Sequence, residues 1–377
     1  MGKYLIVGAG LFGSTLANLL HSAGHSVLVV EKEDYFGGTC RTYESYGIDV
    51  HMYGAHIFKT NDTWVWNYVN QFAEFKPFIN TPIAISRGEA FNLPFNMNTF
   101  ARLWNVRLPI EAQMVVGKQI LDAVVDKKLL NEDGSVSNLE VYALSHVGRD
   151  IYERFIKGYT EKQWGKPCTE LPSSLLGRLK MRYTYNNNYY DVKYQGVPIG
   201  GYSQLSQRML RGVDVKLGCD GKKYVKSFAD KYDKIIYTGM IDEFFDNCYG
   251  RLEYRSLEFK TVVKDCKNYQ GNAVLNYTDA DIPFTRVIEH NHFLEQYGEK
   301  SVVTYEYPAN YVPADNKPYY PVPTEKNKEL YDKYLQLAKD SGIIFSGRLG
   351  SYTYTDMAET VRNAKNLYDK LIKEDKE

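Results

Sequence analysis

Apolar residues occupy positions 4 to 7 without a break, three glycines follow at 8, 10 and 13, and Leu11, Leu16, Ala17, Leu19 and Leu20 then recur at helical spacing. Tyr4 to Val7 is thus predicted as a strand and the segment after Gly10 as a helix, which Gly24 ends. His25 to Val30 reads as a second strand, closed by Glu31. Strand, Gly-x-Gly-x-x-Gly, helix, strand and terminal acid stand in the order that a dinucleotide-binding β-α-β unit requires. Gly8 permits the tight turn, Gly10 lets a pyrophosphate approach the backbone, and Gly13 lets the helix pack on the strand. The helix start at Leu11 and Phe12 would face the phosphates. Glu31, with Lys32 beside it, would accept hydrogen bonds from the adenosine ribose, which favours a ribose without a 2′-phosphate.

Further along, Lys234 to Tyr237 and Ile343 to Phe345 are apolar runs that lead into glycines, and Val197 to Tyr202 opens a helical stretch. Asp356-Met357 begins a last helix with Val361, Ala364 and Leu367 on one face. From about Phe95 to Lys157 the pattern is helical, with Asn138 as a cap and a polar turn at 131–134. From about Met181 to Tyr190, and again from Glu253 to Glu306, β-branched and aromatic residues alternate with polar ones, which predicts an antiparallel sheet. Asn186-Asn187-Asn188 reads as a turn.

Composition narrows the partners. The 46 basic and 46 acidic residues balance, so no basic face is available for nucleic acid. The 33 tyrosines offer flat apolar area with polar tips, suited to holding rings or sugars. Five cysteines, an odd number without C-x-x-C spacing, fit a reduced, cytoplasmic setting. Gly8, Gly10, Gly13, Ser14 and Asn18 argue against an N-terminal signal segment, and no other run reaches the ~18 apolar residues of a membrane span. His290 and His292 would share a strand face, but no third ligand is placed beside them, so no metal is expected.

A second glycine pair follows Glu31 in Phe36-Gly37-Gly38-Thr39-Cys40-Arg41. This resembles the FAD pattern of the glutathione-reductase and amine-oxidase superfamily, in which the cofactor domain is assembled from early, middle and late segments. More specific runs are Tyr53-Gly54-Ala55-His56-Ile57-Phe58, Asn92-Leu93-Pro94-Phe95-Asn96, Lys157-Gly158-Tyr159-Thr160-Glu161-Lys162-Gln163-Trp164-Gly165, Gln195 to Tyr202, Thr285-Arg286-Val287-Ile288-Glu289-His290, Pro318-Tyr319-Tyr320-Pro321 and Ser346 to Gly350. Together they resemble the bacterial UDP-galactopyranose mutases, in the right order over essentially the whole chain. The resemblance implies an α/β fold: a Rossmann-like FAD-binding domain over 1–80, 192–250 and 335–377, a helical domain over 81–157, and an antiparallel-sheet substrate domain over 158–191 and 251–334.

The activity so implied interconverts UDP-galactopyranose and UDP-galactofuranose with no net redox change, and supplies galactofuranose for cell-surface glycans. N5 of reduced FAD attacks the anomeric carbon, UDP departs, the ring opens through an iminium and recloses on another hydroxyl. An electron donor, not identified by the sequence, must reduce the FAD; members of the family are often homodimers. The diphosphate calls for arginine, whose fork binds phosphate oxygens bidentately, and the resemblance points to Arg178 and Arg286, with Arg182 an alternative to the first. Tyr159 and Trp164 match positions that face the uracil, and Tyr189, Tyr319, Tyr320 and Tyr354 match tyrosines near the diphosphate. Arg348, Tyr354, Asp356 and Met357 match flavin-side positions, as do Gly38, Thr39 and Ile57. His56 matches a histidine that tunes the flavin.

Two departures stand out: Lys59 where the family commonly has His, and Pro323 where Asn is usual. Lys59 bears on whether UDP-N-acetylgalactosamine is also accepted, which the sequence leaves open. An amine-oxidase-type flavin oxidoreductase, sharing the segment from Gly8 to Gly38, is the alternative enzyme; a non-catalytic FAD or UDP-sugar binding protein is the other.

Overall fold

The computed structural model describes residues 1–127, 138–176 and 181–374. The expected turn at 131–134 lies outside the described residues, and so does Arg178. The chain divides into two compact units, one of Met1–Phe78, Val192–Arg255 and Lys317–Glu377, the other of Ile79–Asp191 and Ser256–Asn316.

The first unit is built on a five-stranded parallel sheet. Strand β1 (Lys3–Val7) lies at its centre between β2 (Ser26–Val30) and the strand Lys234–Tyr237, with Asp214–Lys216 and Ile343–Phe345 at the two edges. Helix α1 (Leu11–Ser22) and the last helix, Met357–Glu374, cover one face. Side chains alternate across a strand, so Tyr4 and Ile6 pack with Phe12, Leu16, Leu20 and Ala364, while Leu5 and Val7 join Val225, Tyr237 and Phe244 on the other face. Cover on both faces is why these strands read as unbroken apolar runs. The edge strand Asp214–Lys216 has only Val215 as an apolar residue and gave no such signal. The unit also holds a hairpin, Thr42–Ser45 with Ile48–His51, whose Tyr46-Gly47 turn has both φ angles positive.

The second unit joins helices to a sheet. Met97–Trp104, Pro109–Lys127, Leu139–Val147 and α2 (Lys157–Trp164) belong to the helical part, whose core gathers Phe91, Phe100, Leu144, Tyr152 and Phe155. In the sheet, β3 (Val274–Tyr277) pairs antiparallel with β4 (Arg286–Glu289), which pairs with Ser301–Asn310. Beyond β3 lies the hairpin Ile83–Ser86 and Glu89–Asn92, closed by Arg87 and Gly88 with positive φ. These ten residues, grouped above with the helical segment, are thus part of the sheet.

The strand expected over 181–190 does not form. Its amides are satisfied one at a time instead: Arg182 N–H donates to the Phe95 carbonyl at 2.9 Å and Tyr189 N–H to the Asn80 carbonyl at 2.8 Å. Asn96, the cap of the helix Met97–Trp104, donates to the Asn186 carbonyl at 2.9 Å and so holds the triple-asparagine segment, which forms no regular turn. His290 and His292 do not share a strand face either, because β4 ends at Glu289 and Asn291–Leu294 is a helical turn. Among the described residues no helix is long and apolar enough to cross a membrane.

Candidate active site

In the first unit the chain leaves β1 at Gly8, whose φ of +112° excludes most side chains. A Cβ there would lie 2.1 Å from Thr238 Oγ1, and one on Gly13 would lie 1.9 Å from the Gly8 carbonyl oxygen. A Cβ on Gly10, by contrast, would meet nothing nearer than Gly38 Cα at 3.9 Å, so the surface before it is open. No cap side chain accepts from the first turn of α1. The amides of Leu11, Phe12 and Gly13 therefore keep the anion-binding capacity of a helix start. Gly37 N–H donates to the Ala9 carbonyl at 3.0 Å, and a Cβ on Gly38 would come within 3.1 Å of Gly10 Cα. The two glycine motifs thus line one cradle that added carbon would fill.

Glu31 is buried rather than a solvated strand end. Its Oε2 accepts from Ala9 N–H at 2.7 Å and its Oε1 from Glu33 N–H at 3.0 Å. Each oxygen retains acceptor capacity for a ribose hydroxyl. Lys32 beside it is exposed. The residues present fit a dinucleotide.

His56 Nδ1 lies 2.7 Å from the Gly54 carbonyl, so Nδ1 carries the hydrogen of that bond. Its backbone is held as well: N–H donates to His51 Nδ1 at 3.1 Å, and its carbonyl accepts from the Tyr202 hydroxyl at 3.0 Å. Ile57 is buried. Arg348 reaches to 3.5 Å from Thr39 Oγ1, and its guanidinium lies 6.0 Å from the Tyr319 ring centre. Tyr319, Tyr320 and Tyr354 form a run of rings, with centres 6.3 and 5.8 Å apart. Asp356 accepts from Glu359 N–H at 3.0 Å and so caps the helix that Met357 begins.

In the second unit α2 presents Tyr159, whose hydroxyl accepts from Arg286 Nη2 at 3.1 Å. Arg286 stands opposite Glu306 in the ladder of β4, with Nη1 3.7 Å from the buried carboxylate. Tyrosine and glutamate together orient the guanidinium. Trp164, partly buried, packs against the helical core, and Tyr189 lies at the surface. Arg182 donates to the carbonyls of Asn188 and, at 3.1 Å, Tyr189, so its fork staples its own loop.

The sequence pattern of UDP-galactopyranose mutases matches residues 154–354, more than half of the chain, and that of NAD(P)-binding Rossmann-like domains matches residues 6–72. The dTDP-fucopyranose mutase of Escherichia coli is 34% identical over 100% of both chains. The probable UDP-galactopyranose mutase of Klebsiella pneumoniae is 34% identical over 98% of this chain and 94% of its own. The chain belongs to the UDP-galactopyranose mutase family. It is an isomerase, and the amine-oxidase alternative is set aside. A crystal structure of reduced UDP-galactopyranose mutase shares the fold with a TM-score of 0.76 at 15% identity, over 99% of this chain and 94% of that one.

Two networks of contacts were not foreseen from the sequence. Lys317 Nζ donates to Glu33 Oε1 at 2.6 Å and to the Tyr35 hydroxyl at 2.8 Å, and that hydroxyl lies 2.7 Å from the Tyr53 hydroxyl. Burial, outweighing the pull of Lys317, pushes the Tyr35 phenol up to about 12. The second feature is Lys162, whose ammonium donates to the carbonyls of Tyr277, Asp279, Ile282 and Phe284 at 2.8 to 3.2 Å. Carbonyl acceptors carry no side-chain identity, so no motif announces them.

Proposed function

We propose that this chain interconverts UDP-galactopyranose and UDP-galactofuranose, binding FAD that is active when reduced, and that its product feeds cell-surface glycans. The observation that carries the reading is Arg286, oriented by Tyr159 and Glu306 inside the segment that matches the family. A guanidinium so held is preset for a diphosphate and remains charged at every working pH.

Each unit has its share of the work. In the first, Gly8, Gly10, Leu11, Phe12 and Gly13 receive the cofactor pyrophosphate, Glu31 and Lys32 hold the adenosine ribose, and Gly38 and Thr39 line the same cradle. His56, Ile57, Arg348, Tyr354, Asp356 and Met357 border the flavin ring. When bound and reduced, the flavin supplies the nucleophilic nitrogen at the anomeric carbon and an electron sink for the opened sugar. In the second unit Arg286 and Arg178 neutralise the charge of the departing UDP, and Tyr159 and Trp164 offer the nucleobase an aromatic face worth about 1 to 3 kcal/mol. Among the tyrosines, Tyr189, Tyr319, Tyr320 and Tyr354 each offer a hydroxyl without adding charge. An electron donor outside the chain keeps the cofactor reduced, in the cytoplasm and in a homodimer.

The identity to the dTDP-fucopyranose mutase over 100% of both chains favours a second substrate, dTDP-fucopyranose, for the same ring contraction. Chromatographic turnover of UDP-galactofuranose and of dTDP-fucofuranose, each with oxidised and with dithionite-reduced enzyme, tests both readings. Conversion of the first in the reduced sample alone is the expected result. Conversion of the second alone moves the assignment to deoxythymidine sugars, and conversion of neither by flavin-loaded enzyme defeats the proposal.

A further inference from the structure

We propose that Lys162 is a positioning residue for the Tyr159–Arg286 pair, gathering the carbonyls of the 277–284 turn so that β4 begins with Arg286 against α2. The inference rests on the reading of Arg286 as a ligand of the diphosphate.

The turn joins the end of β3 to the start of β4, and Lys162 reaches it from α2 one helical turn beyond Tyr159. Its Nζ lies 2.9 Å from the Tyr277 carbonyl, 2.8 Å from Asp279, 3.0 Å from Ile282 and 3.2 Å from Phe284. An ammonium has three N–H donors, so these four acceptors consume all of them, and one must be shared. Phe284 is two residues before Arg286, so fixing that carbonyl sets where the backbone enters β4, and Tyr159 and Glu306 then orient the guanidinium. The helix backbone itself lies on the turn: a Cβ on Gly158 would stand 2.5 Å from the Thr278 carbonyl oxygen and 3.1 Å from Ala280 N. Thr278 in turn donates its hydroxyl to the Ile85 carbonyl at 3.1 Å and the Arg154 carbonyl at 2.9 Å. The turn is thus anchored to the hairpin and to the segment before α2, and Lys162 ties it to α2 itself.

Burial pushes the Lys162 amine down to about 8, against the opposing pull of Asp279 and Asp281. Those two carboxylates come from the turn. Asp279 is engaged by Arg87 N–H at 2.6 Å and by the Ser86 hydroxyl at 3.3 Å. The other titratable groups of α2, β3 and β4 are Lys157, Tyr159, Glu161, which accepts from Cys168 N–H, Tyr277, Arg286 with Glu306 opposite it, and Glu289, with Arg87 and Arg154 on the segments that anchor the turn. A neutral amine keeps two N–H donors and turns a lone pair toward carbonyl oxygen, so losing the proton weakens the hold on the turn.

The test is titration calorimetry of UDP-galactose and of dTDP-fucose binding to the oxidised, flavin-loaded chain between pH 6.5 and 9. Wild type, Lys162→Met and Arg286→Ala are compared. Wild-type affinity falls about tenfold from pH 7 to pH 9 with its bend near 8, as loss of one linked proton requires. Lys162→Met binds about tenfold more weakly at pH 7, the worth of one charged hydrogen bond, and its affinity is flat with pH. Flavin content at the wild-type level shows that the variant has folded. A flat wild-type profile, or wild-type affinity and bend in Lys162→Met, overturns the role of Lys162 while Arg286→Ala still loses binding. Failure of wild type to bind either nucleotide sugar overturns the diphosphate reading and this inference with it.

Discussion

Lys59 Nζ lies 2.6 Å from the Asp356 carboxylate, an ion pair between residues 297 apart in the chain. The partner of Lys59 is the cap of the helix that starts at Met357. The pair is only partly buried, so screening leaves it worth at most about 1 kcal/mol. The cap adds about 1 kcal/mol more. Asp356→Asn keeps a capping oxygen and loses the charge, whereas Asp356→Ala loses both. Melting temperatures are therefore expected in the order wild type, Asp356→Asn, Asp356→Ala, and equal values for the two variants would show that the cap contributes nothing.

The glycines of the first loop differ in what they exclude. Gly8→Ala forces a carbon against Thr238 Oγ1 in a backbone conformation unsuited to it, and should yield little folded protein. Gly10→Ala meets no protein atom closer than 3.9 Å and should fold, but with its methyl where a pyrophosphate approaches. Soluble Gly10→Ala with flavin content reduced about tenfold or more, a loss of about 1.4 kcal/mol, is the expected result. Flavin content at the wild-type level would exclude this cradle as the pyrophosphate site.

Arg286 and Tyr159 should be unequal in binding. Removing the guanidinium costs about 1.5 to 3 kcal/mol per charged hydrogen bond lost, so Arg286→Ala raises KM roughly tenfold to a hundredfold. Tyr159→Phe keeps the ring and removes only the acceptor that orients Arg286, for about 0.5 to 1.5 kcal/mol. Steady-state kinetics on the reduced enzyme checks the ranking; a larger defect in Tyr159→Phe than in Arg286→Ala would contradict it.

Two adjacent buried groups, Glu289 and His290, make the second unit sensitive to acid. For Glu289, burial opposes ionisation, but donors from His292, Ser301, Tyr269 and Gln270 outweigh it and hold the carboxyl at about 2 against an ordinary 4.5. Its stabilisation is complete above pH 4.5 and is lost as pH falls toward 2. Burial pushes His290 down to about 3 from 6.5, with its Nε2 2.8 Å from Thr304 Oγ1. The unfolded chain takes up that proton first, so stability falls as pH drops from 6.5 toward 3, by no more than about 1.4 kcal/mol per pH unit. Urea midpoints at pH 7 and pH 5 should differ less in His290→Gln than in wild type. Glu289→Gln should alter the acid dependence only below pH 4.5.

By itself, the sequence determined the β-α-β unit. Tyr4 to Glu31 are neighbours in sequence and in space, and strand, glycine turn and helix each follow from local sterics and apolar spacing. The same local logic marked the strands at 234–237 and 343–345. Tertiary structure alone decided which strands flank β1, that Gly38 closes on Gly10, and that Lys59 meets Asp356. It also decided that 181–190 spends its amides on scattered carbonyls rather than on a ladder. Lys162 was legible as a motif letter but not as a staple, because its partners are backbone oxygens that any residue could provide. Local conformation is written in side chains, whereas long-range partners are chosen by the path of the chain, and backbone acceptors leave no trace in composition or spacing.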